Sequence, residues 1–238
     1  PFNLTEINAP DGSISVKFVS LGATLTELWV KDKNGQARDV ALGYDDNSKL
    51  LTDPDHPVFN PVVGRYANHI KNGTFSIPIT KDAQAAGPGV YQVPTNDHNS
   101  EVTLHSGPYD WDCRNFILFS HTPSSATHKF VDDLGGGFPG SVVTYVTHAA
   151  SNSGVFKTGI RAYATEQTPI MLTQHVYWNL DAFQDNVNDI PDHHLQLDAL
   201  PPPPLEGEFV PLTGVLLLLK GILSTSFGLM LAISNARN

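Results

Sequence analysis

The chain has 238 residues, of which 40% are hydrophobic and 16% charged, so it can bury a sizeable core as one large domain or two small ones. Its formal net charge of −10 and isoelectric point near 5.3 disfavour nucleic acid and anionic membranes as partners, because both require a basic face. Neutral or cationic small molecules are compatible with this charge.

Short runs of alternating apolar residues, separated by turn residues, dominate the first part of the chain. Residues 14–18 alternate in this way, and a second run covers 21–30. Asn34-Gly35 follows the second run, and Asn72-Gly73 separates YANHIK from TFSIPI. Since both residues of Asn-Gly tolerate positive φ, each pair predicts a β-hairpin.

Three further runs predict strands, at 142–149, 155–164 and 169–180. No long amphipathic helix is predicted before residue 200. The 18 prolines and 19 glycines also favour a turn-rich β architecture over a helical one. The pattern therefore predicts an all-β protein.

The composition changes near the C-terminus. Residues 201–204 are four prolines, which indicate a short extended spacer. The following run, 215–233, is almost uncharged and approaches the length of a membrane span. Lys220 interrupts it and small polar residues dilute it, so a buried strand or an irregular substitute sequence is favoured over a membrane anchor.

Several common functional sites are excluded by inspection, because the sequence contains no G-x-S-x-G, P-loop, H-E-x-x-H or C-x-x-C pattern. Asp192-His193-His194 offers three metal ligands, but neighbours on a strand point to opposite faces and rarely bind one ion. Cys113 is the single cysteine, which excludes an intrachain disulfide. We interpret it as an inert packing residue.

Three polar segments interrupt the strand-like surroundings and are candidates for a functional site. The candidate side chain is an arginine in one segment and a histidine in each of the other two. They are Arg65 in 60–75, His105 in 103–116 and His175 in 169–180. The residues alone leave alternatives open, since Arg65 could be a surface ion-pair partner and His105 a turn residue.

His175 has the most informative neighbours. On a strand, Thr173, His175 and Tyr177 share one face, and all three are hydrogen-bonding types. That arrangement is expected of a wall that lines a polar pocket. A satisfied core histidine is the alternative, and periodicity does not bring the three segments together in space.

At these segments the sequence resembles the aldose 1-epimerase (galactose mutarotase) family. GRYANHIKNGTF resembles the family block G-R-x-A-N-R-I-x-x-G-x-F, NDHNSEVTLHSGP resembles its N and LHGG block, and TPIMLTQHVYWNL resembles its TP-x-NLT-x-H-x-Y-x-N-L block. The similarity runs from about residue 10 to about 215, in the family's order. The N-terminal half is closest in style to secreted members.

The resemblance implies one domain over 1–238, a large antiparallel β-sandwich whose concave face binds a free monosaccharide such as glucose or galactose. It implies a reaction that interconverts the α and β anomers without metal or cofactor. An acid protonates the ring oxygen while a base removes the proton of the anomeric hydroxyl. The ring opens, the C1–C2 bond rotates, and closure reverses both transfers.

The resemblance also implies roles for individual residues. His175 matches the general acid at the ring oxygen, and His105 matches the histidine that assists there. Arg65 matches an arginine that hydrogen-bonds sugar hydroxyls through its fork of donors. Asn68 belongs to the same substrate-binding block, where we expect it to support the turn.

The chain departs from the family pattern at several positions. His69 stands where the family has arginine, Ser106 replaces a glycine of LHGG, and Cys113 lies in an aromatic-rich stretch. The family's general base, a glutamate near its C-terminus, is not matched. In 209–221 a run of leucines replaces the Asp-Phe pair that the family carries.

Two explanations of the missing base compete. The sequence is truncated or aberrant after about 214, which the odd composition of the tail favours, or the chain is a genuine variant without a base. The second explanation makes it a catalytically inactive carbohydrate-binding module on the same fold. An epimerase for phosphorylated hexoses is disfavoured, because only 14 lysines and arginines are present.

The cellular location is predicted only indirectly. Asn3 and Asn72 each begin an N-x-T pattern, so both are candidate N-glycosylation sites. Together with the secreted style of the N-terminal half, they favour an extracellular protein whose leader has been removed. A cytoplasmic location is the alternative.

Overall fold

The computed structural model describes residues 1–77, 89–133 and 136–184, together with the backbone of three strands further along the chain. The helices of this part are the four-residue α1, Lys49–Thr52, and two 3₁₀ turns, Gly107–Tyr109 and Trp111–Cys113. None of the helices described is long and apolar enough to cross a membrane.

Strands make up nearly all of the regular structure, so the predicted all-β class is confirmed. The earlier strands are β1 Thr5–Asn8, β2 Ile14–Val19, β3 Thr24–Lys31, β4 Ala37–Asp39, β5 Val62–Val63, β6 His69–Lys71, β7 Thr74–Ser76 and β8 Val90–Gln92. The later strands are β9 Val102–Leu104, β10 Ile117–Thr122, β11 Ser125–Asp132, β12 Val142–Ser151, β13 Val155–Pro169, β14 Thr173–Gln174, β15 Leu205–Glu206, β16 Val210–Pro211 and β17 Leu218–Phe227.

Four antiparallel strands form the first sheet, in the order β1-β2-β3-β4. Ile14, Val16 and Phe18 are buried on one face of β2, because side chains of a strand alternate with a period of two. β3 and β4 are joined across Asn34-Gly35, where Gly35 adopts a φ of +79° that costs glycine no steric strain. The hairpin predicted at this pair is confirmed.

The second sheet has the order β10-β11-β12-β13-β17. β12 and β13, predicted from 142–149 and 155–164, form a long hairpin in which Ser151 pairs with Val155. The backbone of β17 pairs with β13 and lies within the apolar run 215–233. Side chains beyond residue 184 lie outside the described residues, so the single domain over 1–238 and its aberrant tail after about 214 stay predictions.

The two sheets face each other across an apolar core, as in a β-sandwich. Ile7, Phe18 and Leu25 enter this core from the first sheet, and Ala126 and Ala150 enter it from the second. All of them are almost fully buried. The alternation of side chains along each strand therefore places its apolar residues on the face that meets the other sheet.

Two histidines lie inside this core. His128 and His148 are both 0% exposed, and the ring of His148 stacks on Phe18 with centroids 4.1 Å apart. Burial lowers the pKa of His148 to about 3 and that of His128 to about 4, because an imidazolium there would lose its hydration. Both rings are neutral at pH 7 and pack as aromatic groups.

The second predicted hairpin, at Asn72-Gly73, is wrong. The two residues do form a turn, with φ of +55° and +58°, but β6 and β7 on either side do not pair with each other. β6 pairs with β9, and β7 pairs with β8. The Asn-Gly signal predicts local backbone geometry, whereas the partner of each flanking strand depends on distant segments.

The predicted strand over 169–180 is confirmed only in part. β13 ends at Pro169, and within the rest of the run only β14 is a strand, paired with β5. An isolated bridge between Trp178 and Ala41 holds the end of the segment. The chain is therefore extended here, but it changes partners along its length.

Candidate active site

Two of the predicted site residues lie side by side. The ring centroids of His105 and His175 are 5.3 Å apart, and the ring planes are nearly perpendicular, at 81°. Both side chains are half-buried. His105 follows β9 and His175 follows β14, so tertiary structure supplies a proximity that the spacing along the chain does not predict.

A left-handed turn positions His105. His105 and Ser106 have φ of +52° and +68°, which turns the chain from β9 into the first 3₁₀ turn. The His105 N–H donates to Asn68 O at 3.1 Å, and the Asn68 N–H donates to His105 Nδ1 at 3.0 Å. Because Nδ1 accepts this bond, the neutral ring carries its proton on Nε2. His105 therefore offers a donor through Nε2.

The surroundings of His105 set the charge of its ring. Burial, and next the repulsion from His175, lower the pKa of His105 to about 4. His105 is consequently a neutral hydrogen-bond donor at pH 7. Two imidazoles at this separation do not readily carry two positive charges.

Backbone hydrogen bonds hold His175 directly after β14. Its N–H donates to Pro61 O, and the Asn60 N–H donates to His175 O, each at 2.9 Å. Successive residues of an extended chain point to opposite sides. Gln174 accordingly points into the core, where its Oε1 lies 2.9 Å from His148 Nε2. His175 points the other way, toward His105.

Aromatic rings extend the site beyond His175. Tyr177 is 38% exposed and its ring centroid lies 5.3 Å from that of His175, so these side chains share one side, as predicted. Phe59 packs edge-on against Tyr177 at 5.2 Å, and Tyr44 packs edge-on against Phe59 at 5.1 Å. An aromatic wall with polar tips suits a ligand that has both apolar and hydroxyl surfaces.

Arg65 is placed differently from the two histidines. It is 1% exposed, so it is not the surface ion-pair partner of the alternative interpretation. Its Nε donates to Asp132 Oδ2 at 2.9 Å, Nη1 donates to Pro139 O at 2.9 Å, and Nη2 donates to Gly140 O at 3.2 Å. These bonds tie β11 to the following turn. The predicted sugar contact of Arg65 stays a prediction, while its observed contacts are structural.

Glycine precedes Arg65 for a packing reason. A Cβ at Gly64 would lie 2.6 Å from Leu172 Cδ2 and 2.7 Å from Trp111 Cε3, so no larger residue fits between these side chains. Gly64 O also accepts a hydrogen bond from the Trp111 N–H at 3.2 Å. The Gly-Arg dipeptide thus reflects close packing behind the site.

Asn68 supports the histidine pair through its backbone. It is exposed and has a φ of +69°, a left-handed conformation that asparagine tolerates better than most residues. Its Oδ1 accepts from the His69 N–H at 2.9 Å and lies 2.7 Å from His69 Nδ1. These contacts agree with the expected role in the turn, and its sugar contact stays a prediction.

Asn60 is a residue of the site that the sequence analysis did not single out. It is 1% exposed, its Nδ2 donates to Leu42 O at 2.7 Å, and its Oδ1 accepts from the Tyr177 N–H at 2.8 Å. With its backbone bond to His175, it joins three segments beneath the pair. The available signal was the Asn-Pro dipeptide at 60–61, which is typical of a turn.

Two buried carboxylates follow His105, but they are engaged elsewhere. Asp110 Oδ1 accepts from the Trp111 N–H at 2.6 Å, and burial followed by repulsion from Asp112 raises the pKa of Asp110 to about 8. Asp112 Oδ2 lies 2.5 Å from His56 Nε2. In the part of the chain that the structure describes, neither is bonded to the histidine pair. The base of the implied reaction is not identified there.

Two groups of side chains in the described residues are compact enough to hold a metal ion. In each group the donor atoms lie within 4.8 Å of one another. The groups are His56, Asp112 and Cys113, and His69, Asp97 and His98. Cys113 is exposed, so its interpretation as a packing residue is wrong: the second 3₁₀ turn buries its neighbours and leaves the thiol outside. Asp192-His193-His194 lies outside the described residues.

Both candidate glycosylation sites are accessible. Asn3 and Asn72 are exposed, and Asn72 lies in the turn between β6 and β7. Exposure is a requirement for modification of an N-x-T pattern. Glycosylation of these residues stays a prediction.

Comparison with known proteins places this chain in a family. The family model described as aldose 1-epimerase matches residues 5–220. The chain is 36% identical over 185 residues to a protein of Arthroderma benhamiae named "Probable aldose 1-epimerase", covering 73% of this chain and 40% of that protein. It is 34% identical over 213 residues to the galactose mutarotase of Mus musculus, covering 87% of this chain and 56% of that protein.

The fold agrees with these matches. A crystal structure of a GalM/aldose epimerase homologue from C. elegans superposes with a TM-score of 0.65 at 27% identity, covering 75% of this chain and 51% of that one. The chain spans about half the length of the curated relatives it matches, with 40% and 56% as examples. Because the family model covers most of the residues, the chain belongs to the aldose 1-epimerase family.

Proposed function

We propose that this chain forms the acid side of the active site of an aldose 1-epimerase that interconverts the α and β anomers of a free hexose such as glucose or galactose. The observation that carries the proposal is the contact between His105 and His175, whose ring centroids are 5.3 Å apart. Membership of the family supports the reaction class. The reaction consists of proton transfers and a bond rotation, so it needs no cofactor.

The two histidines have different tasks in this scheme. His175 donates a proton to the ring oxygen as the bond from that oxygen to C1 breaks, and recovers it when the ring closes. His105 is held neutral by burial, and its Nε2–H donates a hydrogen bond to the same oxygen. A fixed donor aimed at an oxygen that gains negative charge stabilises the transition state more than the ground state.

The scheme also requires a base for the anomeric hydroxyl. The resemblance gives this role to a glutamate near the family's C-terminus, and residues 1–77, 89–133 and 136–184 contain no match to it. The proposal therefore requires a base outside the described residues. A proton transfer that lacks a positioned acid or base is slower by about a hundredfold to ten-thousandfold. A chain without a base would therefore be a weak catalyst.

Polarimetry tests the proposal directly. The optical rotation of freshly dissolved α-D-glucose and α-D-galactose is followed with and without protein, for the wild type, His175→Ala and His121→Ala. His121 is an exposed histidine of β10 whose Nε2 lies 2.8 Å from Glu6 O, so its variant is a matched control. We expect acceleration by the wild type and the control, and loss in His175→Ala. Folded wild-type protein without acceleration would contradict the proposal.

A second function is favoured because the described residues contain no match to the family's base. A carbohydrate-binding module on the same fold would use Tyr177 and the histidine pair only to hold the sugar. Titration calorimetry with the same two sugars separates the two functions. Binding that His175→Ala weakens, without acceleration by the wild type, would establish the module.

We further infer a secreted, glycosylated protein from the exposure of Asn3 and Asn72. Expression in a eukaryotic secretory host, followed by removal of N-glycans, should lower the mass of the protein. The double variant Asn3→Gln, Asn72→Gln should show no such change. An unmodified mass for the secreted wild type would contradict the inference.

A further inference from the structure

Three side chains of different chemistry converge at a place that the proposed reaction does not use. His56 belongs to the loop between α1 and β5, and Asp112 and Cys113 belong to the second 3₁₀ turn. One donor atom of each lies within 4.8 Å of the other two, and His56 Nε2 is 2.5 Å from Asp112 Oδ2. A thiol, an imidazole and a carboxylate therefore share one small volume.

Their accessibility follows a pattern typical of a site that is open on one side. The side chain of Asp112 is 6% exposed, whereas that of His56 is 44% exposed and Cys113 is also exposed. The carboxylate is held inside the protein, and the other two donors close over it from the surface. An ion can enter from solvent without a rearrangement of the core.

We propose that His56, Asp112 and Cys113 bind one Zn²⁺ ion, with a water molecule completing the coordination on the solvent side. Thiolate, imidazole and carboxylate are the ligand types that zinc takes, and three protein ligands with one open position form a common tetrahedral set. Mg²⁺ and Ca²⁺ prefer oxygen ligands throughout, so the thiolate selects against them.

The observed spacing needs only a small adjustment. Zinc-to-ligand distances of about 2.0–2.3 Å at tetrahedral angles place ligand atoms about 3.3–3.6 Å apart. The distance from His56 Nε2 to Asp112 Oδ2 is shorter than this, at 2.5 Å. The Cys113 sulfur lies within 4.8 Å of the donor atoms of both other residues. Because His56 is half-exposed on a loop, a small rotation of its side chain opens the required space.

Electrostatics point in the same direction. The buried carboxylate of Asp112 and the neighbouring thiol form a place where a positive charge is favoured, and the imidazole of His56 lies beside both. A divalent ion satisfies the carboxylate and the thiolate together. Bound zinc would link the loop between α1 and β5 to the second 3₁₀ turn, and so stabilise the folded chain.

The test uses the full chain, stripped of metal and kept reduced, with Zn²⁺ and Co²⁺ as probes. Cys113 is the only cysteine, so alkylation by iodoacetamide reports on this site alone. We expect one equivalent of Zn²⁺ to bind in calorimetry and to slow alkylation by at least about tenfold, because bound thiolate is withdrawn from reaction. Co²⁺ should produce a near-ultraviolet thiolate-to-metal absorption band.

Variants locate the ion. Cys113→Ser and His56→Ala replace exposed side chains, so both should fold, as circular dichroism will check. Each should weaken Zn²⁺ binding by at least about tenfold, and Cys113→Ser should remove the cobalt band. His98→Ala changes the other metal-capable group and should leave binding unchanged.

Two results would overturn the proposal. Zinc binding that survives Cys113→Ser but is lost in His98→Ala would assign the ion to His69, Asp97 and His98. Absence of both binding and protection of the thiol at millimolar Zn²⁺ would leave His56 and Asp112 as an ion pair only. Neither result depends on epimerase activity.

Discussion

The pair His105–His175 and the pair His128–His148 have similar ring separations, 5.3 Å and 6.1 Å, but opposite surroundings. The first pair is half-buried at the ends of two strands, whereas both members of the second are 0% exposed between the sheets. The first therefore has ring edges that a ligand can reach. The second contributes an aromatic surface that packs on Phe18. Access to solvent, rather than spacing, separates the candidate site from the core.

One extended segment serves both pairs. Gln174 bonds to His148 in the core, and the next residue, His175, faces His105 in the site. The alternation of an extended chain assigns the two neighbours to opposite sides. Substitutions in the two pairs should consequently separate loss of activity from loss of stability.

The largest effect is expected for His175→Ala. Loss of the positioned acid should lower the rate of anomerisation by about 100-fold to 10,000-fold, whereas the half-buried position should limit the change in the free energy of unfolding to about 1 kcal/mol. Polarimetry and urea denaturation measure the two quantities. A variant with a rate within threefold of the wild type would show that His175 is not the acid.

His148→Ala should have the opposite profile. It removes the stacking on Phe18 and leaves Gln174 Oε1 without its partner, so we expect a loss of about 2–4 kcal/mol in the free energy of unfolding. The rate per folded molecule should stay within about threefold of the wild type. Urea denaturation, with His121→Ala as the exposed control, checks this. A loss below about 0.5 kcal/mol would contradict the packing role.

The buried pair should also make stability depend on pH. The pKa of His128 is lowered to about 4 and that of His148 to about 3, so below about pH 6.5 the unfolded chain binds protons that the folded chain does not. The stabilisation that comes from keeping both rings neutral is therefore complete above that pH. It is lost progressively as the pH falls toward 3–4. Asp110 affects stability in the opposite direction. Its pKa is raised to about 8, so as the pH falls the folded chain binds this proton before the unfolded chain does.

Asp110 titrates in both the wild type and His128→Leu. Its contribution therefore cancels when the unfolding free energies of the two proteins are compared. The gap in unfolding free energy between variant and wild type should widen by up to about 1.4 kcal/mol per pH unit below 6.5. Urea denaturation at pH 7.5, 6.0 and 5.0 measures it. A gap that is constant with pH would mean that His128 titrates normally in the folded chain.

The smallest effect is expected for the same variant at pH 7.5. Both ring nitrogens of His128 are buried and have no hydrogen-bond partner in the described part of the chain. Replacement by leucine removes these unsatisfied groups, so His128→Leu should raise the free energy of unfolding by about 1 kcal/mol. A destabilised variant would indicate that a polar partner, such as a buried water, satisfies the ring in the wild type.

Local patterns predicted the strands better than their partners. Residues 14–18, 142–149 and 155–164 alternate and are strands, because alternation reports directly that one face is buried. Asn34-Gly35 closes a hairpin, but Asn72-Gly73, with the same backbone geometry, does not. A turn depends on two residues, whereas pairing depends on which distant strand is available.

The candidate site was predictable only in its components. The resemblance identified His105 and His175, and the alternation around His175 predicted a shared side with Tyr177, which the contact between the rings supports. Nothing in the residue pattern showed that Arg65 would be enclosed by β11 and the turn after it, or that Asn60 would join three segments beneath the pair. These contacts involve groups far apart in sequence.

By itself, the sequence determined the β alternation and the two Asn-Gly turns, because both follow from steric preferences over a few residues. Tertiary structure alone decided which histidines meet and which are buried. His128 and His148 are on strands with the same alternation as their neighbours, and only the packing of the first sheet against them excludes water. Burial by distant segments decides which imidazoles a ligand can reach, and this accessibility separates the candidate site from the core.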